Sequence, residues 1–294
     1  MKMIFILLLL TTICFAEELP KTEEFPEIDY TKLAFGEEET LEIMSWNIQN
    51  FPKTVSTVDY AAKIITAIDA DVIGLQEIQS EDDFEFLLSK LDTLKWSGFR
   101  ATSDEWEMNL AYLYKKDVIE VKQIYEIFPD DGHAFPRAPL ILEMKYKDQD
   151  IVIINNHFKA KSGEKNEQRR IAACDKLYKY TEENYPETNI CILGDLNDKL
   201  IDDPNVFEVF IDDENYRFAD MKIAEDEDAD WSYPYWKYRG HIDHILISNE
   251  LFDEFASKHS DIKVITIDKF MEGGGDARYK YITDHRPVVM KLKF

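Results

Sequence analysis

The sequence predicts an α/β sandwich built on mixed or antiparallel sheets, not a doubly wound parallel sheet. Apolar segments of strand length outnumber helical ones, and the helices are interspersed among them. Neighbouring strands are often joined by turns too short for a crossover helix, as between 140–146 and 150–156. Neither G-x-G-x-x-G nor a P-loop pattern occurs, which removes the nucleotide folds those motifs mark.

In chain order, residues 1–16 carry Lys2, an unbroken apolar run over 3–10 and a small-residue exit, the plan of a secretory signal peptide cleaved after Ala16. That run is too short for a permanent anchor, and no later segment is long and apolar enough to span a bilayer. A secreted protein, extracellular or periplasmic and without a stable membrane anchor, is expected. Lipidation at Cys14 is disfavoured by the bulky Ile13 before it. Residues 17–39, rich in Glu, Pro and Lys, read as an extended lead-in to a single domain over 40–294.

Residues 41–46 form a strand with Leu41, Ile43 and Ser45 on one face and Met44 and Trp46 on the other, ending at Asn47. Ala61, Ile64, Ile65 and Ile68 give 59–70 a helical period, and the strand over 72–75 runs to Gln76-Glu77. Asp82 and Asp83 open a helix over 84–94, where the N-terminal dipole favours acids. Strands follow over 98–102, 110–114 and 118–127, then a loop over 132–139 that holds Arg137 between two prolines. The hairpin of 140–146 and 150–156 ends at His157. A long helix over 164–184 shows a stripe of Ile171, Cys174, Leu177 and Tyr178, and the strand over 190–194 leads into Asp195 and Asn197. Residues 198–239 are acidic and aromatic with little periodicity, a long surface excursion. Strands at 241–248, holding Asp243, and at 262–267 precede a flexible glycine loop over 273–275. Thr283-Asp284-His285 stands before the last strand, 287–294.

With 34 basic residues against 59 acidic the chain carries −25, and export leaves 33 against 59, or −26. Such a charge repels nucleic acid and anionic membrane at long range, so a polyanionic substrate needs a local exception. A divalent metal supplies one. Lys159, Lys161, Lys165, Arg169 and Arg170 run against the global sign, either as a backbone-binding patch or as a solvated helix start. Cys174 and Cys191 fit one disulfide or two buried thiols. Asp226, Asp228 and Asp230 alternate like a calcium loop, but Trp231 stands where an EF-hand requires glycine and no glutamate closes it. A looser site for an additional Ca²⁺ stays open.

Polar residues collect at the strand ends: Asn47, Glu77, His157, Asp195 with Asn197, Asp243, and Asp284-His285. An Asx turn explains any one of them; it does not explain six recurrences. On a strand end Asp195 and Asn197, two apart, face the same side. Carboxylates, amides and two histidines without cysteine suit Mg²⁺, Mn²⁺ or Ca²⁺ better than zinc or copper. A divalent ion on a non-bridging phosphate oxygen relieves the repulsion of an incoming hydroxide. Histidine is the natural proton carrier near neutral pH, and a carboxylate beside it raises its pKa and fixes its tautomer.

Six stretches resemble, in order, motifs of the endonuclease/exonuclease/phosphatase superfamily typified by pancreatic deoxyribonuclease I and exonuclease III. They are Met44-Ser45-Trp46-Asn47-Ile48, Ile73-Gly74-Leu75-Gln76-Glu77, Asn155-Asn156-His157-Phe158-Lys159, Leu193-Gly194-Asp195-Leu196-Asn197, Ile242-Asp243-His244-Ile245 and Thr283-Asp284-His285-Arg286-Pro287. The resemblance implies a four-layer α/β/β/α sandwich, two mixed, mainly antiparallel sheets face to face with helices outside, and metal-dependent cleavage of phosphate esters. Position by position, Glu77 with Asn47 and Asp284 resembles the site of Mg²⁺ (or Mn²⁺). Asp195 and Asn197 resemble the pair that orients nucleophile and phosphate, and His285 the general base, held by Asp243. His157 resembles the second histidine of the deoxyribonuclease branch, the candidate acid for the leaving oxygen. Arg137 resembles that branch's phosphate-contacting arginine, with Lys159 as a further phosphate contact. The expected function is a secreted, deoxyribonuclease I-like nuclease acting as a monomer on DNA, with RNA left open. The alternative is a phosphatase or phosphodiesterase on a lipid or inositol phosphate, as in sphingomyelinases.

Overall fold

The structure, a computed structural model, describes residues 25–103 and 108–294. The signal peptide expected over 1–16, Cys14 within it and the lead-in as far as residue 24 lie outside the described residues. The remaining lead-in is packed rather than extended. Tyr30–Lys32 forms a 3-10 turn, Ile28 bridges to Met271, and Leu33 is buried.

The chain runs through β1 (Leu41–Phe51), α1 (Thr57–Ile68), β2 (Val72–Ile78), α2 (Glu81–Lys90), β3 (Trp96–Arg100) and β4 (Asn109–Lys115). It continues through β5 (Ile119–Glu126), β6 (Leu140–Tyr146), β7 (Gln149–His157), α3 (Glu164–Asn184) and β8 (Asn189–Asp195). After α4 (Glu208–Ile211), β9 (Tyr216–Phe218) and α5 (Met221–Glu225) come β10 (Asp243–Ser248), α6 (Phe252–Phe255), β11 (Asp261–Val264), α7 (Gly274–Tyr281) and β12 (Val288–Leu292). Two six-stranded sheets result, ordered β11-β12-β1-β2-β4-β3 and β5-β6-β7-β8-β10-β9. Each sheet has one parallel pair, β1 with β2 and β7 with β8, among antiparallel neighbours.

Alternation along the strands builds the layers. Leu41 and Ile43 of β1 join Leu142, Ile153, Leu193 and Ile245 in a core between the sheets. Met44 and Trp46, one residue out of phase, pack instead with Ile64, Ile65 and Leu87 of α1 and α2. Ile154 and Ile192 of the second sheet turn away from the first onto Ala173 and Leu177 of α3. The outcome is the four-layer sandwich, with each sheet apolar on both faces. Glycine is required where the sheets approach: a Cβ on Gly74 would lie 2.5 Å from Leu193 Cδ1. Beneath the strand ends, Gln76 Nε2 donates to Asn155 Oδ1 at 2.8 Å, and Asn155 Nδ2 donates to the carbonyls of Leu75 and Ala111, joining the sheets.

Several expectations change. The 198–239 excursion is not purely superficial, since Phe207, Phe210, Phe218 and Asp220 are buried within it. Aromatic residues without period there pack individually against α3 and β10. The 273–275 glycines do not make a flexible loop: Gly273 takes φ +78° as the cap and Gly274 opens α7. Arg278 holds this helix in, donating to the carbonyls of Thr283 and His285. The strand expected over 262–267 stops at Val264, and a 3-10 turn follows over Ile267–Phe270. Cys174 and Cys191 are both free, because Cys191 faces the inter-sheet core and Cys174 the core under α3. No helix among the described residues is long and apolar enough to cross a membrane.

Candidate active site

The two parallel pairs put four strand ends together. Asn47 and Glu77 come from β1 and β2, and His157 and Asp195, directly paired, from β7 and β8. Asp243 opens β10 opposite Asp195, and His285 precedes β12. The first sheet's strands do not simply stop. Register shifts interrupt them between Asn47 and Phe51 and between Leu75 and Ile78, with Gln49, Asn50 and Glu77 at positive φ. Such bulges re-aim side chains, and here they turn Glu77 into the cleft. Asp195 and Asn197 meet differently from the expected strand geometry. Asn197 is left-handed at φ +55° and its N–H donates to Asp195 Oδ1 at 3.1 Å, an Asx turn. Both residues nonetheless line the cleft.

The cleft has a volume of about 700 Å³ and contains Glu77, His157, Asp195, Asn197, Asp284 and His285. Asn47 Nδ2 donates to Glu77 Oε1 at 3.1 Å and to Asp195 Oδ2 at 2.9 Å, bridging two carboxylates. Its Oδ1 accepts from the Gln49 N–H at 2.9 Å. The Asn50 N–H donates to Glu77 Oε2. Gln49 Nε2 donates to Asp284 Oδ2 at 2.8 Å, while Asp284 Oδ1 is buried with no hydrogen-bond partner. Asp243 Oδ2 accepts from His285 Nδ1 at 2.7 Å, and two backbone N–H groups, of Ile242 and Asp243, rest on Ser232 Oγ. His285 Nε2 lies 3.7 Å from Asp195 Oδ2 and 3.8 Å from Asp284 Oδ1. His157 Nε2 stands 3.5 Å from the same Asp195 oxygen and 3.9 Å from Glu77 Oε1. Glu77, Asp195 and Asp284 all line the cleft, and carboxylate oxygens are the donors a hard divalent cation takes. One ligating atom each of Asp195, Asp243 and His285 also lies within 4.8 Å of the others.

The two imidazoles differ in electrostatic environment. Burial drives the pKa of His157 well below its usual value, and the positive Arg137, His285 and Lys159 push the same way. Burial would also lower His285, but the anionic Asp243 and Asp195 outweigh it and raise the pKa. For Asp195 burial dominates and raises the pKa. The acid role expected of His157 calls for an imidazolium, and burial and the three cations around it work against that form. Arg137 and Lys159, the expected phosphate contacts, act electrostatically on His157, and Lys159 Nζ donates to the Ala160 carbonyl. Of the basic cluster, Lys161 and Arg170 line the cleft. Arg170 is buried against Asp198 and the Lys159 and Lys161 carbonyls, and Arg169 caps the carbonyls of Gly132 and His133. Asp226 accepts from the Asp228 N–H, and Asp230 pairs with Lys269, so the alternating acids do not converge on a calcium position.

Sequence reasoning missed the support behind this wall. Asp220 Oδ2 sits 2.6 Å from His244 Nδ1 and 2.8 Å from His241 Nε2, all three buried. His244 Nε2 donates to the Asp198 carbonyl at 2.9 Å, so both ring nitrogens face acceptors and the ring is an imidazolium. Burial opposes that charge, but Asp220 raises the pKa of His244; Asp220 in turn is pulled below the usual carboxylate range by His244 and His241, against its own burial. The signal was present in Ile242-Asp243-His244-Ile245, whose histidine stands beside the dyad acid. A raised histidine pKa stabilises the fold fully below about 6.5, and the benefit is lost as pH rises through the folded-state value. The wild type should therefore lose melting temperature on the alkaline side. His244→Gln should be destabilised by about 3–5 kcal/mol at neutral pH and lack that alkaline component. A pH series of thermal melts checks both.

A sequence profile described as the Endonuclease/Exonuclease/phosphatase family matches residues 44–285. A comparison with curated proteins returned no match. Among solved structures, TDP2 of D. rerio complexed with single strand DNA product is 16% identical with a TM-score of 0.65, over 87% of this chain and 100% of that one. The endonuclease/exonuclease/phosphatase from Bacteroides vulgatus is 16% identical at TM-score 0.64, over 87% and 99%. The mannosyl-6-phosphatase of Bacteroides thetaiotaomicron is 16% identical at TM-score 0.63, over 86% and 100%. These three likenesses are of fold.

Proposed function

The chain belongs to the endonuclease/exonuclease/phosphatase family, and from that premise we propose that it is a secreted, divalent-metal-dependent phosphodiesterase that hydrolyses DNA. The observation that carries the reading is the Asp243–His285 pair at 2.7 Å, whose free nitrogen faces Asp195 and Asp284 across the cleft. Mg²⁺ or Mn²⁺ held by Glu77, Asp195 and Asp284 would supply charge neutralisation at the phosphate. His285 Nε2 takes the proton of the attacking water while Asp243 fixes the ring and stabilises the imidazolium. Asp195 and Asn197 orient water and phosphate, and His157 offers a neutral hydrogen bond. Because an imidazolium cannot accept a proton, activity falls as pH is lowered.

Export by the 1–16 segment and work as a monomer complete the proposal. A solved relative described as TDP2 with a single strand DNA product supports a nucleic-acid substrate. A second reading, a phosphatase on a phosphorylated sugar, lipid or inositol, is favoured by the −25 charge and by the fold shared with a mannosyl-6-phosphatase. A panel of plasmid, linear DNA, RNA, sphingomyelin, inositol phosphates and mannose 6-phosphate, each with Mg²⁺ and with chelator, separates them. Metal-dependent cleavage of DNA is expected. Phosphate or phosphocholine release with intact DNA would establish the second reading.

A further inference from the structure

The −25 chain gathers cations and aromatic rings on one flank of this cleft. Tyr233 packs against His285 with ring centroids 5.0 Å apart. Tyr235 follows at 6.1 Å and Tyr279 at a further 5.2 Å, so a row of rings leads from the dyad imidazole into an adjoining pocket that Tyr235 and Tyr279 line. Tyr238 lines the cleft and is 63% exposed; Tyr279 is 39% exposed. Rings placed only for packing would be covered, whereas Tyr238 and Tyr279 stay partly exposed.

Cations accompany the rings. Lys53 Nζ lies 3.7 Å from the Tyr279 ring centre and donates to Gln49 Oε1, the residue that holds Asp284. Arg239 and Lys199 sit over Trp231 at 4.4 and 6.0 Å, and Lys237 over Tyr238 at 5.0 Å. Lys199, Lys237 and Arg239 line the cleft, and none is in a salt bridge among the described residues. The lining also includes the acids Glu167 and Asp202, so the positive stretch is local to the aromatic flank.

We propose that this tyrosine row is a stacking platform for the unpaired bases of a single-stranded nucleic acid, with Lys199, Lys237 and Arg239 along the path of its phosphates. The inference rests on the phosphodiesterase reading and deepens it by naming the strandedness of the substrate. Stacking needs a free base face, which a duplex keeps inside its own stack. A lone phosphorylated sugar also stacks on tyrosine. It carries one phosphate, however, whereas a strand carries a charge at every nucleotide and so meets Lys199, Lys237 and Arg239 together.

The test measures binding by the full chain in chelator, so that catalysis plays no part, using fluorescence anisotropy with a labelled single-stranded 12-mer and its duplex. The single strand is expected to bind at least about tenfold tighter than the duplex, and Tyr238→Ala with Tyr279→Ala to weaken it about tenfold or more. Tyr238→Phe, which keeps the ring face, should bind as the wild type does. Hydrolysis of bis(p-nitrophenyl) phosphate with Mg²⁺ should be unchanged in Tyr279→Ala alone, whose ring lies outside the catalytic cleft. Equal binding of single strand and duplex, or full affinity in the double variant, would overturn the proposal, as would mannose 6-phosphate displacing the strand at equimolar concentration. A wild type that binds the strand selectively but leaves the small diester intact with metal would overturn the catalytic reading and keep the platform.

Discussion

His285→Ala is expected to lower the turnover of a phosphodiester by about 10²–10⁴ while the protein stays folded. The imidazole is buried, and burial alone would lower its pKa, yet Asp243 and Asp195 raise it. A buried ring held this way owes its charge to two carboxylates and its position to one 2.7 Å hydrogen bond. Asp243→Asn should therefore act on rate and titration together. The amide does not balance the imidazolium and does not require Nδ1–H, so the pKa of His285 should fall, by about 1–3 units. Turnover should fall with it, by as much as about 10⁴. Turnover of each variant with Mg²⁺, and imidazole titration by NMR in chelator, give the two readouts. A His285→Ala protein that melts normally and hydrolyses at the wild-type rate would remove His285 from the mechanism.

Glu77→Gln carries the second large effect. Glu77 is brought to the cleft at positive φ by a break in β2, and both its oxygens are fixed, one by Asn47 and one by the Asn50 N–H. Glutamine keeps the size and loses the charge, so the scaffold should hold while cation affinity drops. Loss of electrostatic stabilisation of this kind costs about 10²–10³ in turnover. The wild type should bind Mn²⁺ in calorimetry, and the variant should bind it more weakly and recover part of its rate at high metal concentration. Unchanged Mn²⁺ affinity and unchanged rate would place the cation on other groups.

Much of this site was legible before any coordinates. Asn47, Glu77, His157, Asp195 and Asn197 stand at the far ends of strands whose apolar period announces them, Asp284 and His285 stand just before one, and a strand end is a local property of the chain. Less legible were the bulges that turn Gln49, Asn50 and Glu77 to positive φ, because no glycine marks them. The glycines at 273–275 misled in the other direction: they cap a helix that Arg278 holds in place. Gln49, Ser232, Tyr233 and Asp220 stayed invisible because each matters only through a partner. Gln49 meets Asp284 from 235 positions away.

The sequence by itself determined the layers and the ordered set of polar strand ends, since alternation and motif spacing are written along the backbone. Tertiary structure alone decided how the two histidines differ. Both are buried and both approach Asp195, but Arg137, His285 and Lys159 add to burial in lowering the pKa of His157, while Asp243, hydrogen-bonded to the ring, and Asp195 raise that of His285. Charge interactions in a low-dielectric interior depend on distances between groups far apart in the chain, and only the folded backbone sets those distances.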